Sequence, residues 1–306
     1  MSPPVAILSF NRPHYLRRVL NALAAQLGTR MNDRRIYLFQ DGALNLFSGA
    51  RYCEKSTISS CVSYFKSSFP RGEVFVSDSN LGVALNFDRA ERFLFEEQRE
   101  PVALFFEDDL VILPTYVGIL DSLLEMALKD ESIGYVAAYG NHRAPLADQL
   151  RRAGEFVRMQ HFWGFGVTRR QWIRERPFRE SYLDIVREQD YRQRDHRKID
   201  QLFRSWGLGV PGTSRDVARG HAAILTDAAR INTFACFAQY IGARGVHFTP
   251  SLYEKLLFHT TSVMRGDPPV FQPPTHDQLT RFLYDARSDA TRDHWALSKL
   301  MWHTGA

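Results

Sequence analysis

Cysteine is scarce in this chain: Cys53, Cys61 and Cys236 are the three in 306 residues. An odd number without C-x-x-C spacing excludes a disulfide framework and a zinc site of the usual cysteine pattern, and fits a reducing compartment. Long apolar runs are absent too. No stretch reaches the roughly 18 residues that span a bilayer, and Met1-Ser2-Pro3-Pro4 leads straight into a strand-like run, without the basic and apolar regions of a signal peptide. The expectation is a cytoplasmic protein. There is no internal repeat, low-complexity block or long linker. Nor does one sign of charge dominate: 39 Lys and Arg against 34 Asp and Glu leave +5, spread along the chain. That excess is compatible with a polyanion or with peripheral contact on an anionic membrane. With no helix-turn-helix pattern and no RNP-type run, a nucleic-acid partner is not favoured.

What is present reads as a folded α/β protein, 44% hydrophobic and 24% charged. Val5 to Phe10, Arg35 to Phe39, Glu73 to Val76 and Pro101 to Phe106 are short runs rich in β-formers. Segments with helical spacing separate them, such as Tyr15, Leu16, Val19, Leu20 and Leu23. Nearly all-apolar strands alternating with helices predict a mainly parallel sheet covered on both faces. Beyond Leu110 longer helical stretches are expected at Thr115 to Lys129, Ser181 to Trp206 and Ser214 to Ala229, with strands near Gly134 to Tyr139 and Arg230 to Phe234. The halves 1–112 and 113–265 are expected to share one sheet, and 266–306 to form a helical C-terminal extension.

In such sheets ligands bind beyond the carboxyl ends of the strands. Four polar clusters fall there: Ser9 to Arg12, Gln40 to Gly42, Asn80 to Gly82, and Glu107-Asp108-Asp109. Three adjacent carboxylates after a buried strand need a counter-charge, because like charges about 4 Å apart repel by roughly 4 kcal/mol at an effective dielectric near 20. On an extended backbone Glu107 and Asp109 would face one way and Asp108 the other. Hard oxygen donors suit Mn²⁺ or Mg²⁺ bridging two phosphates. A solvated strand end, or acids before the helix near Thr115, is the plain alternative.

The order Ile7-Leu8-Ser9-Phe10-Asn11-Arg12-Pro13, Phe39-Gln40-Asp41-Gly42, Asn80-Leu81-Gly82, Phe106-Glu107-Asp108-Asp109-Leu110 resembles the N-acetylglucosaminyltransferase I group of GT-A glycosyltransferases and its soluble bacterial relatives. His161-Phe162-Trp163-Gly164-Phe165-Gly166 with Trp172 is similar to that group's acceptor-side loop, and Gly242-Ala243-Arg244-Gly245-Val246-His247 to its late G-x-x-G-x-H element. The resemblance spans about residues 5 to 250. It implies a GT-A, Rossmann-like fold and an inverting, metal-dependent transfer of a hexosyl or N-acetylhexosaminyl group. The donor would be a nucleoside-diphosphate sugar, usually a UDP-sugar, and the acceptor a hydroxyl on a glycan, a lipid-linked or another molecule. Carried over by position, Asp109 is the direct metal ligand, with Glu107 and Asp108 near the ribose and cation. Ser9, Asn11, Arg12 and Asp41 then lie on the donor side, and Asn86 stands where the group has a uracil-side His. His247 is a candidate nitrogen ligand to the cation.

Inversion needs an acceptor-side carboxylate as base. Among Asp184, Asp190, Asp195, Asp200 and Asp216, Asp216 is preferred because Ser214 is a candidate N-cap that would fix it in a first turn. Stabilisation of the helix dipole is its plain alternative, and Asp200 is the fallback. Gly164 and Gly166 could admit a sugar to backbone amides, and Trp163 or Trp172 could stack on it. Competing readings are a nucleotidyltransferase or nucleotide-sugar hydrolase on a similar sheet, and a transferase acting on modified nucleic acid.

Overall fold

The computed structural model describes residues 2–28, 31–209, 211–245 and 248–291. Its first strand, β1 (Val5–Ser9), is buried throughout and pairs on both edges, with β2 (Ile36–Gln40) and β4 (Val102–Glu107). β3 (Glu73–Val76) extends the sheet beyond β2, and all three pairings are parallel. The remaining strands are β5 (Leu110–Ile112), β6 (Ile133–Ala137), β7 (Phe156–Arg158), β8 (Gly164–Thr168), β9 (Ala229–Thr233) and β10 (Ala238–Tyr240). The main sheet runs β3-β2-β1-β4-β8-β6-β9-β7, with β8 and β7 antiparallel to the rest, and β5 pairs with β10 beside it. Strands from both halves of the chain thus share one mainly parallel sheet.

The helices are α1 (Pro13–Ala24), α2 (Lys55–Ser68), α3 (Gly82–Arg92), α4 (Tyr116–Lys129), α5 (Leu146–Arg151), α6 (Arg169–Arg187), α7 (His196–Ser205), α8 (Arg215–Leu225), α9 (Pro250–Lys255) and α10 (His276–Thr291). Helix α1 starts on Pro13, whose missing N–H costs nothing in a first turn, and buries Tyr15, Leu16, Val19, Leu20 and Leu23. The expected tail helix is α10, with Arg287 donating to the Ile224 carbonyl at 3.2 Å; the remainder of 266–306, from 292 on, lies outside the described residues. Among the described residues no helix is long and apolar enough to cross a membrane.

Two expectations need correction. The helix predicted across Ser181 to Trp206 is broken between α6 and α7, because Asp190 and Asp195 turn back to accept from the backbone N–H of Arg192 and Lys198, each starting a new element. Gly164 and Gly166 serve the core. A Cβ on Gly164 would lie 2.5 Å from Leu110, and one on Gly166 2.9 Å from Leu124.

Candidate active site

Register decides which side chains meet. Ser9 stands opposite Gln40, and Leu8 opposite Glu107, so the carboxyl ends of β1, β2 and β4 lie side by side. Beyond them opens a cavity of about 370 Å³. Ser9, Asn11, Arg12, Asp41, Asn86, Glu107, Asp108, Asp109 and Asp216 all line it. His247 lies outside the described residues. Asp200 is elsewhere: it sits on the outer side of α7 in an i,i+4 pair with Arg204 at 3.0 Å, because the buried face of that helix is taken by Ile199 and Phe203. The fallback base is thereby removed.

The acidic triplet is not extended. Glu107 ends β4, while Asp108 and Asp109 form the turn into β5, pinned where the Ile241 N–H donates to the Asp109 carbonyl at 2.8 Å. Both aspartates therefore face Arg12, which donates through one terminal nitrogen to Asp108 Oδ1 and pairs through the other with Asp109 Oδ2 at 2.8 Å. Glu107 turns instead to Arg215, 3.2 Å away, and Arg215 also pairs with Asp216 at 2.6 Å. The Arg215 guanidinium rests 3.5 Å from the centre of the Phe87 ring, a cation–π contact that anchors it.

Four carboxylates thus share two guanidiniums, a formal excess of two acidic groups. Among the described residues Asp108 Oδ2 and Asp109 Oδ1 are buried with no hydrogen-bond partner. Burial pushes the Asp109 carboxyl up to about 6 against the pull of Arg12, with Asp108 adding to the rise. It drives Glu107 well above the ordinary range despite Arg215, with Asp109 and Asp216 adding to the rise. Burial alone would lower the Arg12 pKa, but Asp108 and Asp109 hold it well above its ordinary value. Neutralisation is incomplete, and the unpaired oxygens are what a hard cation would take. Among the described residues no three His, Cys, Asp or Glu side chains converge as a metal cluster. A cation here would take two protein oxygens and complete its shell from phosphate, the usual habit of Mg²⁺.

The G-x-x-G element closes this wall. A Cβ on Gly242 would come within 2.6 Å of Asp109 Oδ2 and collide with the Tyr240 hydroxyl, so the backbone can pass the acids only as glycine. Gly82, at φ +76°, admits Tyr191 against the start of α3 in the same way.

Several expected contacts turn out differently. Both Asp41 oxygens are engaged, Oδ1 by the N–H groups of Gly42 (2.9 Å) and Leu81 (2.7 Å), Oδ2 by the Gly82 N–H (3.0 Å) and the Asn80 amide (3.0 Å). It ties the end of β2 to the start of α3. The Asn86 amide donates to the Phe39 carbonyl at 3.0 Å and accepts from Arg89 at 2.7 Å. Trp172 is a core residue packed against Phe95. Trp163 reaches the cavity but is stacked on His161 at 4.0 Å and on Tyr240 at 4.1 Å. Two rings cannot share one face at those distances, so the indole is sandwiched and offers no face to a sugar.

Asp216 is where its helix start predicts. Ser214 caps α8 by accepting from the Val217 N–H, and the Asp216 carboxylate opens into the cavity with 33% of its side chain exposed. Residues that sequence reasoning passed over are Arg215, Tyr191, Arg192 and Tyr240, all lining the cavity, which His161 of the acceptor-side motif also lines. Arg215 had a local signal, since it lies between the cap and Asp216. Tyr240 had none, because it arrives through β10.

No protein-family profile and no curated protein matches the chain. Among solved structures it is similar to residues 1–349 of TarS from S. aureus, with 11% identity over 79% of this chain and 61% of that one and a TM-score of 0.43. A CMP:2-keto-3-deoxy-manno-octonic acid synthetase complexed with CTP aligns with 7% identity over 84% of this chain and 97% of that one, TM-score 0.43. The glycosyltransferase GlyE of Streptococcus pneumoniae TIGR4 aligns with 13% identity over 61% and 38%, TM-score 0.35. The chain spans less than two thirds of the TarS fragment. Likeness of this degree assigns no substrate or chemistry to the chain, and the resemblance to the N-acetylglucosaminyltransferase I group rests on sequence motifs alone.

Proposed function

We propose that the chain is a GT-A glycosyltransferase that moves a hexosyl or N-acetylhexosaminyl group from a nucleoside-diphosphate sugar, a UDP-sugar in the first instance, to an acceptor hydroxyl with inversion. The observation that carries this reading is the excess of acids, Glu107, Asp108, Asp109 and Asp216 against Arg12 and Arg215, with two buried carboxylate oxygens unpartnered among the described residues at the carboxyl ends of parallel strands. A Mn²⁺ or Mg²⁺ bound to Asp108 and Asp109, with His247 as a candidate further ligand, would supply Lewis-acid stabilisation of the diphosphate leaving group.

The chain's own residues do the rest. Ser9 and Asn11, both lining the cavity, meet the nucleotide. Arg12 holds Asp108 and Asp109 in one orientation. Asp216 accepts the proton of the acceptor hydroxyl as its oxygen bonds to the anomeric carbon, while the bond from that carbon to the phosphate oxygen breaks and its electron pair leaves with the nucleoside diphosphate. Arg215, bridging Glu107 and Asp216, fixes the distance between the donor-side and acceptor-side acids.

The test is a thermal-shift panel of UDP, GDP, CDP and dTDP with and without Mn²⁺. One nucleotide is expected to raise the melting temperature with Mn²⁺ present and to lose that effect in EDTA. A shift unchanged by EDTA would overturn the metal assignment, and no shift with any of the four would overturn the donor class.

A further inference from the structure

Two neighbouring apolar residues are exposed on an ordered turn that is hydrogen-bonded to Asn80, a residue of the cavity lining. Leu46 is 71% exposed and Phe47 60%. Chance exposure on a floppy loop does not explain them, because the turn is built. The buried Asn45 side chain accepts from the N–H of Phe47 (3.0 Å) and Ser48 (3.1 Å) and donates to the Asn80 carbonyl (3.1 Å). Gly49, at φ +69°, closes the turn by donating to the Asn45 carbonyl at 3.0 Å. The Ser48 and Tyr52 hydroxyls both donate to Asp190, which fastens the turn to the segment before α7.

That segment is basic. Arg192 lines the cavity, is exposed, and lies 3.9 Å from the centre of the Tyr52 ring. It contrasts with Arg12 and Arg215, each spent on two carboxylates: no hydrogen bond or ion pair claims the Arg192 guanidinium among the described residues. Arg197 and Lys198 are exposed one turn further on, and Arg51 and Lys55 flank the apolar turn on its own strand of chain. The acids close to them in the chain are the exposed Glu54, the buried Asp190 engaged by Ser48 and Tyr52, Asp195, whose Oδ2 lies 4.0 Å from Lys198, and Asp200, paired with Arg204 at 3.0 Å.

We propose that this patch is a docking surface for an anionic lipid bilayer, with Leu46 and Phe47 entering the interface while Arg51, Lys55, Arg192, Arg197 and Lys198 meet the headgroups. Apolar insertion and a basic patch are each weak alone, and reversible membrane attachment needs such a pair of signals. Arg192 belongs both to this patch and to the cavity lining, so docking would bring one wall of the cavity to the headgroups. The docking itself does not depend on the proposed chemistry.

The experiment is co-sedimentation of the full chain, without nucleotide, with vesicles of phosphatidylcholine alone and of phosphatidylcholine mixed with phosphatidylglycerol. Wild type is expected to sediment with the mixed vesicles and not with the neutral ones. Leu46→Ser/Phe47→Ser and Arg197→Gln/Lys198→Gln are each expected to weaken partitioning on the order of tenfold; their side chains are exposed, so unchanged melting temperatures will verify folding. Asp109→Ala is expected to bind vesicles as wild type does, which separates failure of the docking surface from failure of the glycosyltransferase reading. Absence of wild-type binding, equal binding to neutral vesicles, or full binding by either double variant overturns the proposal.

Discussion

Two clusters of charge sit on either side of the start of α8, and they are built to opposite plans. The inner one pairs Glu91 with Arg219 through one oxygen and with Arg179 through the other, while Glu175 accepts from Tyr135 and from Gln171 at 2.7 Å. Two carboxylates meet two guanidiniums, and every carboxylate oxygen has a donor. Burial would raise the Glu91 pKa, yet Arg179 and Arg219 hold it below its ordinary value. The outer cluster sets four carboxylates against two guanidiniums and, among the described residues, leaves two carboxylate oxygens unpartnered. In the inner cluster carboxylates and guanidiniums balance, as a structural network requires; in the outer one the surplus carboxylate oxygens are what a bound cation would take. The two share a helix, since Arg215 and Arg219 are one turn apart on α8, so the balanced cluster holds the unbalanced one in place.

That contrast can be broken at several points. In the outer cluster, Asp109→Ala is expected to abolish Mn²⁺-dependent nucleotide binding by calorimetry while changing folding stability by less than about 1 kcal/mol, since it relieves repulsion. A large loss of stability with binding retained would reverse the assignment of the two clusters. Asp216→Asn is expected to lower the transfer rate about 10²- to 10⁴-fold with donor affinity nearly unchanged; wild-type turnover would move the base elsewhere. In the inner cluster, Glu91→Gln leaves two buried guanidiniums short of a partner and is expected to cost about 3–5 kcal/mol in urea unfolding.

The smallest effect concerns pH. His221, buried on α8 with Nε2 donating to the Gly209 carbonyl at 2.9 Å, is pushed down to about 4 by burial. It stays neutral in the native state, while the unfolded chain protonates it below about 6.5, so its contribution is full above that pH and is lost as pH falls toward 4. The raised Asp41 and Asp109 act in the opposite direction over much of the same window, which makes a difference measurement necessary. The stability gap between wild type and His221→Asn is expected to narrow by up to about 1.4 kcal/mol per pH unit from 6.5 to 4. A constant gap would show that the histidine titrates normally.

Much of the donor side was legible in the linear chain because local rules governed it. Apolar strand runs, Pro13 at a helix start and the Ser214 cap each state their structure within a few residues, and strand ends in a parallel sheet collect on one edge. Ser9, Asn11, Arg12, the acidic triplet and Asp216 therefore came together as expected. The errors lie where a side chain's use depends on partners distant in sequence. Asp41 and Asn86 spend their polar atoms on neighbouring backbone and on the side chains of Asn80 and Arg89, Trp163 has both faces covered, and Asp200 turns outward on its helix.

By itself, then, the sequence determined the α/β alternation, the mainly parallel sheet and the acidic cluster at a strand end, since periodicity, turn chemistry and burial of apolar runs act over short range. The tertiary structure alone decided that Arg12 grips both aspartates, that Arg215 joins the triplet to Asp216, and that an apolar turn is tied to Asn80 of the cavity lining. Those ion pairs depend on bringing residues about 100 positions apart into hydrogen-bonding distance, which no local preference encodes.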